Sequence, residues 1–216
     1  MTDMENSVKK IMEREFSDDD FILAITHKSM GEPNNERWEF LGNAIFNMHL
    51  ATVAYALRPE LNPEEMTLIC NNARSNKNLN RIGRENGLDK LIITGKSVKN
   101  EIGVEMVATA FEAVIGMLFE KSGIDAATRF IDELIIMDEE NIERYKEEDP
   151  ITELKKYLDK NGRCGFIEEI TERKDDKTTF FDYVIHYGDK SGKGSGPSKK
   201  EAESEASREL LRMIKK

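Results

Sequence analysis

Residues 36–57 read ERWEFLGNAIFNMHLATVAYAL, and this stretch decides the fold of the first half. Apolar residues recur at spacings of three and four without β-type alternation, which predicts one long helix. Its inner side is expected to carry Phe40, Leu41, Ala44, Ile45, Met48 and Ala51. Pro59 and Pro63 close it. Working outward, the same periodicity predicts helices over 5–16, 19–27, 64–71, 76–86, 104–121 and 124–145. The acidic run EENIERYKEED ends at Pro150 and marks a domain boundary. Beyond it the period changes. Residues 152–159 are amphipathic, whereas 166–172 and 180–187 alternate and carry Val, Ile, Phe and Tyr, so they read as strands. ERKDDKTT is expected to be the turn between them, with a third strand near 191–193 and a last helix from Ser198. The order is α-β-β-β-α within about 67 residues. The fold class is therefore α+β, with an all-helical domain over 1–148 and a second domain over 149–216.

Composition agrees with a two-domain chain of 216 residues. Hydrophobic residues make up 38% and charged residues 34%, enough for a core in a polar chain. No apolar run approaches the roughly 18–20 residues of a membrane span, so no membrane partner is expected. MTDMENSVKK has no apolar core of a secretory signal. Cys70 and Cys164 are far apart, which speaks against a disulfide scaffold or a zinc ribbon and for a cytoplasmic or organelle interior. The net charge of -10 is uneven. Residues 149–216 carry 15 basic and 14 acidic side chains, while 1–148 carry 17 and 28. An acidic half is either a solvated surface or a place that holds cations.

Two constellations carry chemistry. In the second half, Ser198-Lys199-Lys200-Glu201 has the form of a capping box, which puts Lys199 and Lys200 in the first helical turn. A helix start presents free amides and a positive dipole end, so these lysines make a phosphate clamp or, more plainly, a well-capped surface helix. Gly192, Gly194 and Gly196 are expected to let backbone approach closely, and Lys190 and Lys193 to add charge. In the first half, Glu36, Glu39, Asn43 and Asn47 share one helical stripe, and Thr109 and Glu112 lie one turn apart. Carboxylates facing each other from two helices could hold Mg²⁺, and a pair of such ions hydrolyses phosphodiesters. Acidic stripes are also ordinary solvated helix faces.

The stretch from Gly192 to Leu211, GKGSGPSKKEAESEASRELL, closely resembles the double-stranded-RNA-binding domain. That resemblance implies recognition of A-form RNA by shape, with lysines at the last helix on phosphates and the first helix in a minor groove. It makes Lys199 and Lys200 the clamp, Lys193 a neighbouring charge, and places Glu153 and Lys155 near the contacting face. The family's Gly-Pro-x-His element is missing from the turn at 173–177, where Lys174 or Lys177 could reach a phosphate instead.

Residues 36–44, ERWEFLGNA, resemble the ribonuclease III signature ERLEFLGDA. LAITHKS at 23–29, Met66-Thr67 with Asn76 and Leu79, and VATAFEAVIG at 107–116 resemble further elements of that family in the same order. The resemblance implies a homodimer in which Phe40 plugs the partner subunit, although Phe40 also suits a core. It implies Mg²⁺-dependent cleavage of double-stranded RNA at a site read here as Glu39, Asn43, Thr109 and Glu112. The family carries aspartates where Asn43 and Thr109 stand, and an arginine at Cys70. Formal charge around the metals falls from about −4 to about −2, so Mg or Mn would be held weakly or not at all. Glu105 or Glu36 could compensate. The resulting expectation is a double-stranded-RNA-binding protein with impaired or lost cleavage. An active endoribonuclease with an altered metal site remains an alternative, as does a structural component of a ribonucleoprotein such as an organellar ribosome.

Overall fold

The computed structural model describes residues 17–98, 101–175 and 178–215. The helix expected over 5–16 and Lys177 lie outside them. Contacts divide the chain into two compact units, Met1–Lys146 and Glu147–Lys216.

The first unit is helical. It contains α1 (Asp18–Ala24), α2 (Glu36–Leu57), α3 (Pro63–Ala73), α4 (Asn76–Glu85), α5 (Val104–Ser122), α6 (Ile124–Leu134) and α7 (Glu139–Tyr145). Side chains explain several starts. Asn62 and Glu65 form a reciprocal capping box at α3. Ser75 caps α4 and Asp138 caps α7. One expected helix over 124–145 is thus two. The chain leaves α6 at Leu134, and Asp138 starts a new helix by accepting from the amide of Asn141.

α5 is the centre. From Val107 to Leu118 every residue is buried except Thr109 and Glu112. Phe111 packs, with its ring tilted, between Phe46 of α2 and Phe130 of α6, with ring centroids 6.0 and 5.3 Å away. α2 crosses α5 with no room for side chains at the crossing. A Cβ on Gly42 would lie 1.8 Å from the carbonyl oxygen of Glu112, and one on Gly116 would lie 2.1 Å from that of Trp38. The Trp38 indole N–H donates to Glu120, and Lys121 lies over its ring.

The face expected to be the inner side of α2 is only partly so. Ile45 is buried and Leu41 half-buried, but Phe40, Ala44, Met48 and Ala51 are exposed. The core side is Trp38, Gly42, Ile45, Phe46, Leu50 and Ala54. At 100° per residue, Phe40, Ala44, Met48, Ala51 and Tyr55 fall within one quadrant of the opposite side. Phe40 is 83% exposed and Tyr55 75%. The helix carries two apolar faces, and this makes its 22 residues long and apolar enough to cross a membrane by length and composition, contrary to expectation.

The second unit is α8 (Pro150–Asn161), β1 (Phe166–Asp175), β2 (Thr178–Tyr187), β3 (Lys190–Gly196) and α9 (Lys199–Ile214). The sheet is antiparallel in the order β1-β2-β3. Strand pairing continues through Glu172↔Phe181, Arg173↔Phe180 and Lys174↔Thr179, so most of the expected ERKDDKTT turn is ladder. Leu154, Leu158, Ile185, Ala206, Leu210 and Leu211 form the core. The β3 glycines are packing residues, not openings for a ligand. A Cβ on Gly192 or Gly194 would stand 2.1 Å from the carbonyl oxygens of Ala206 or Ala202 on α9.

Candidate functional site

In the first unit, the close crossing of α2 and α5 brings Glu39, Asn43, Thr109 and Glu112 together as the sequence spacing predicts. What they form is a hydrogen-bond network. Asn43 Nδ2 donates to Glu112 Oε1 at 2.7 Å, and Asn47 Nδ2 donates to Asn43 Oδ1 at 2.9 Å. Thr109 Oγ1 donates to Glu39 Oε1 at 3.3 Å. An ionised carboxylate only accepts, so Asn43 must turn its amide N–H toward Glu112. Each of the two carboxylates is therefore met by a neutral donor from the opposite helix.

A divalent cation such as Mg²⁺ is held by several oxygens, chiefly charged ones. The residues present fit such an ion poorly. The Asn43 N–H and Thr109 O–H point at the carboxylates that would have to ligate it. Among the described residues no group of three or more His, Cys, Asp or Glu side chains is placed to hold a metal. Glu36 faces Lys28 at 3.6 Å, and Glu105 is exposed, so neither joins Glu39 and Glu112 in such a group. Burial pushes the Glu112 carboxyl above its ordinary range, Glu39 adds to this, and the Asn43 hydrogen bond and Arg74 oppose it. Cys70 is half-buried, and burial likewise raises its thiol.

In the second unit, Ser198 caps α9 by accepting from the Glu201 amide at 3.3 Å. Lys199 and Lys200 are exposed in the first turn, as expected. Lys199 Nζ lies 5.7 Å from the centroid of Phe181, a neighbour that the sequence did not single out. Lys193 is exposed, and its backbone N–H is taken by Glu209 of α9. Glu205 likewise accepts from the Ser195 amide at 2.8 Å. These two carboxylates cover the free edge of β3. Lys190 does not add to the clamp, because its Nζ donates to the Met213 carbonyl at 2.6 Å, near the far end of α9. On α8, Glu153 is bound to Lys215, while Lys155 is exposed and lines a cavity together with Glu203. Lys174 pairs with Glu172 at 3.1 Å.

Comparison with known proteins places both units. The Ribonuclease-III-like family model matches residues 18–139, and the double-stranded RNA binding motif matches residues 150–214. Ribonuclease 3 of Carboxydothermus hydrogenoformans is 30% identical over 99% of this chain and 97% of its own length. Ribonuclease 3 of Leptospira interrogans is 30% identical over 91% of this chain and 84% of its own. The nuclease domain of ribonuclease III from Campylobacter jejuni, described as having a flexible region involved in dimer formation, has the same fold as the first unit. It superposes with a TM-score of 0.56 at 23% identity, covering 62% of this chain and 94% of that one.

The raised Glu112 carboxyl yields a signed expectation. Its charged form costs stability, and the cost develops as pH rises from the ordinary glutamate range, about 4–5, through the raised folded value. Glu112→Gln removes that charge and can still accept from Asn43. The variant should melt higher than the parent at about pH 8, with the difference vanishing below about pH 4. Thermal scans across pH check this, and a lower melting point at pH 8 would contradict it.

Proposed function

Since the chain belongs to the ribonuclease III-like family and carries its double-stranded RNA binding motif, we propose that it binds double-stranded RNA and that its cleavage step is impaired or lost. Enzymes of the family use Mg²⁺. The carrying observation is the Asn43–Glu112 hydrogen bond, in which an amide donor occupies the space between helices where a cation would have to be ligated. Resemblance to the family signature assigns aspartates to positions 43 and 109. With Asn43 and Thr109 there, two carboxylates remain, and both are engaged by donors. Binding is proposed to use Lys199 and Lys200 at the start of α9, Lys193 beside them and Lys155 on α8. Glu153 serves α8 through its bond to Lys215. The exposed apolar face of α2 around Phe40 supports a homodimer, because a phenylalanine 83% exposed, on one apolar stripe with Met48 and Tyr55, is costly in a monomer.

Three measurements test this reading. On a long RNA duplex with Mg²⁺ or Mn²⁺, the protein should bind without cutting, and Asn43→Asp together with Thr109→Asp should gain cation-dependent cleavage, with either change alone doing less. Rapid cutting by the unaltered protein would instead favour an active endoribonuclease.

Lys199→Glu with Lys200→Glu should weaken duplex binding whatever its sequence, and should flatten the salt dependence by about 1–2 units of slope. Unchanged affinity in a folded variant would remove the clamp.

Phe40→Ala should shift a dimer toward monomer by about 2–4 kcal/mol, read by sedimentation over a dilution series. An intact dimer at low concentration would remove Phe40 from the interface.

A further inference from the structure

Glu203 stands three residues after Lys200 on α9 and is half-buried at the wall of a cavity shared by α8, β1 and α9. Titratable groups surround it from every neighbouring element. Lys155 comes from α8, with Asp149 at that helix's cap, Glu168 from β1, Tyr183 from β2 and Lys200 from its own helix. Arg163 lines the same cavity but is paired with Asp159 at 2.7 Å. The Ser207 hydroxyl, fully buried in that wall, has no hydrogen-bond partner. Glu203 thus shares a cavity wall with Lys155 and with the like charge of Glu168, and feels a second cation, Lys200, from one turn back on its own helix.

Those cations have a second use. On the reading proposed above, Lys155 and Lys200 are both used to bind RNA. A phosphate that takes them leaves Glu203 beside Glu168 in a partly desolvated place and adds a third negative charge. The arrangement has one inexpensive resolution, which is protonation of one carboxylate. We propose that Glu203 is an affinity-setting residue of the RNA interface, competing with phosphate for Lys155 and Lys200 when charged and taking up a proton from solvent when RNA binds.

The free protein is already biased this way. Burial and Glu168 raise the Glu203 carboxyl above its ordinary range, against Lys155 and Lys200. Burial, and after it the charges of Glu168 and Glu203, push the Tyr183 hydroxyl up to about 12, so it stays neutral. The sign follows from linkage. RNA favours protonated Glu203, so affinity rises as pH falls, by at most about tenfold per pH unit for one proton.

The experiment measures affinity of the full chain for a blunt RNA duplex at fixed ionic strength, from about pH 8 down to about pH 5.5, for the unaltered protein, Glu203→Gln and Glu168→Gln. The unaltered protein should tighten about three- to tenfold as pH falls. Glu203→Gln should already bind tightly at pH 8 and should be flat. Glu168→Gln should tighten at a lower pH than the parent, because the like charge that raises Glu203 is gone. Independently of any variant, titration calorimetry in buffers of different ionisation heat should show proton uptake on binding. A Glu203→Gln profile that follows the parent, or no proton uptake, overturns the inference while leaving RNA binding intact. Absence of duplex binding by all three proteins at every pH overturns the RNA-binding reading and this inference with it.

Discussion

The first unit depends on one contact, the backbone crossing of α2 and α5 at Gly42 and Gly116. With Cβ positions falling about 2 Å from opposing carbonyl oxygens, neither glycine can be replaced without forcing the helices apart. The crossing sets the spacing of everything one turn away. Glu39 and Asn43 flank Gly42 on one helix, while Thr109 and Glu112 precede Gly116 on the other. They are brought together by packing, whatever their charge. A cation is therefore not needed to assemble the four positions, and the hydrogen bonds of Asn43 and Thr109 are a consequence of a geometry fixed elsewhere.

Much of this was legible in the sequence, because helix periodicity and motif order survive in residues 36–44 and 107–116. The four site positions come together as their spacing implied. The faces of α2 were harder. With a core on one side and an exposed apolar stripe on the other, the polar stripe of Glu36, Glu39, Asn43 and Asn47 borders both and does not tell which apolar face turns inward, so Phe40, Ala44, Met48 and Ala51 read as inner. The split at Leu134 was hidden for a related reason. Ile135, Ile136 and Met137 continue an apolar run through the break, and only the capping ability of Asp138 marks the restart. The β3 glycines also have two physical uses. Composition alone does not separate close approach to a ligand from close approach to α9, and the Cβ contacts at Ala202 and Ala206 decide for the second.

In the second unit the same device recurs in another form. Glycines on β3 let α9 lie against the sheet, and this sets where the helix starts and how its first turn is presented. The far end is fixed by Lys190 on the Met213 carbonyl, and the flank by Glu205 and Glu209 on the β3 amides. Three long charged side chains thus hold the helix at its far end and along one flank, leaving Lys199 and Lys200 exposed at its amino end. Lys199 rests near Phe181, which restricts a flexible cation at low cost. These neighbours were not visible in sequence, because each joins residues distant along the chain and none belongs to a local pattern.

Neutral donors at positions 43 and 109 also change what the first unit must tolerate. Four carboxylates facing one another would repel strongly without a cation, since like charges a few ångströms apart in a partly buried place disfavour ionisation. Here Glu112 is still raised by burial and by Glu39, but Asn43 offsets part of that cost. The packing of α2 on α5 is stabilised by hydrogen bonds that require no metal, and the exposed stripe around Phe40 lies on the far side of the same helix. The contacts among Glu39, Asn43, Thr109 and Glu112 thus need no cation between the helices.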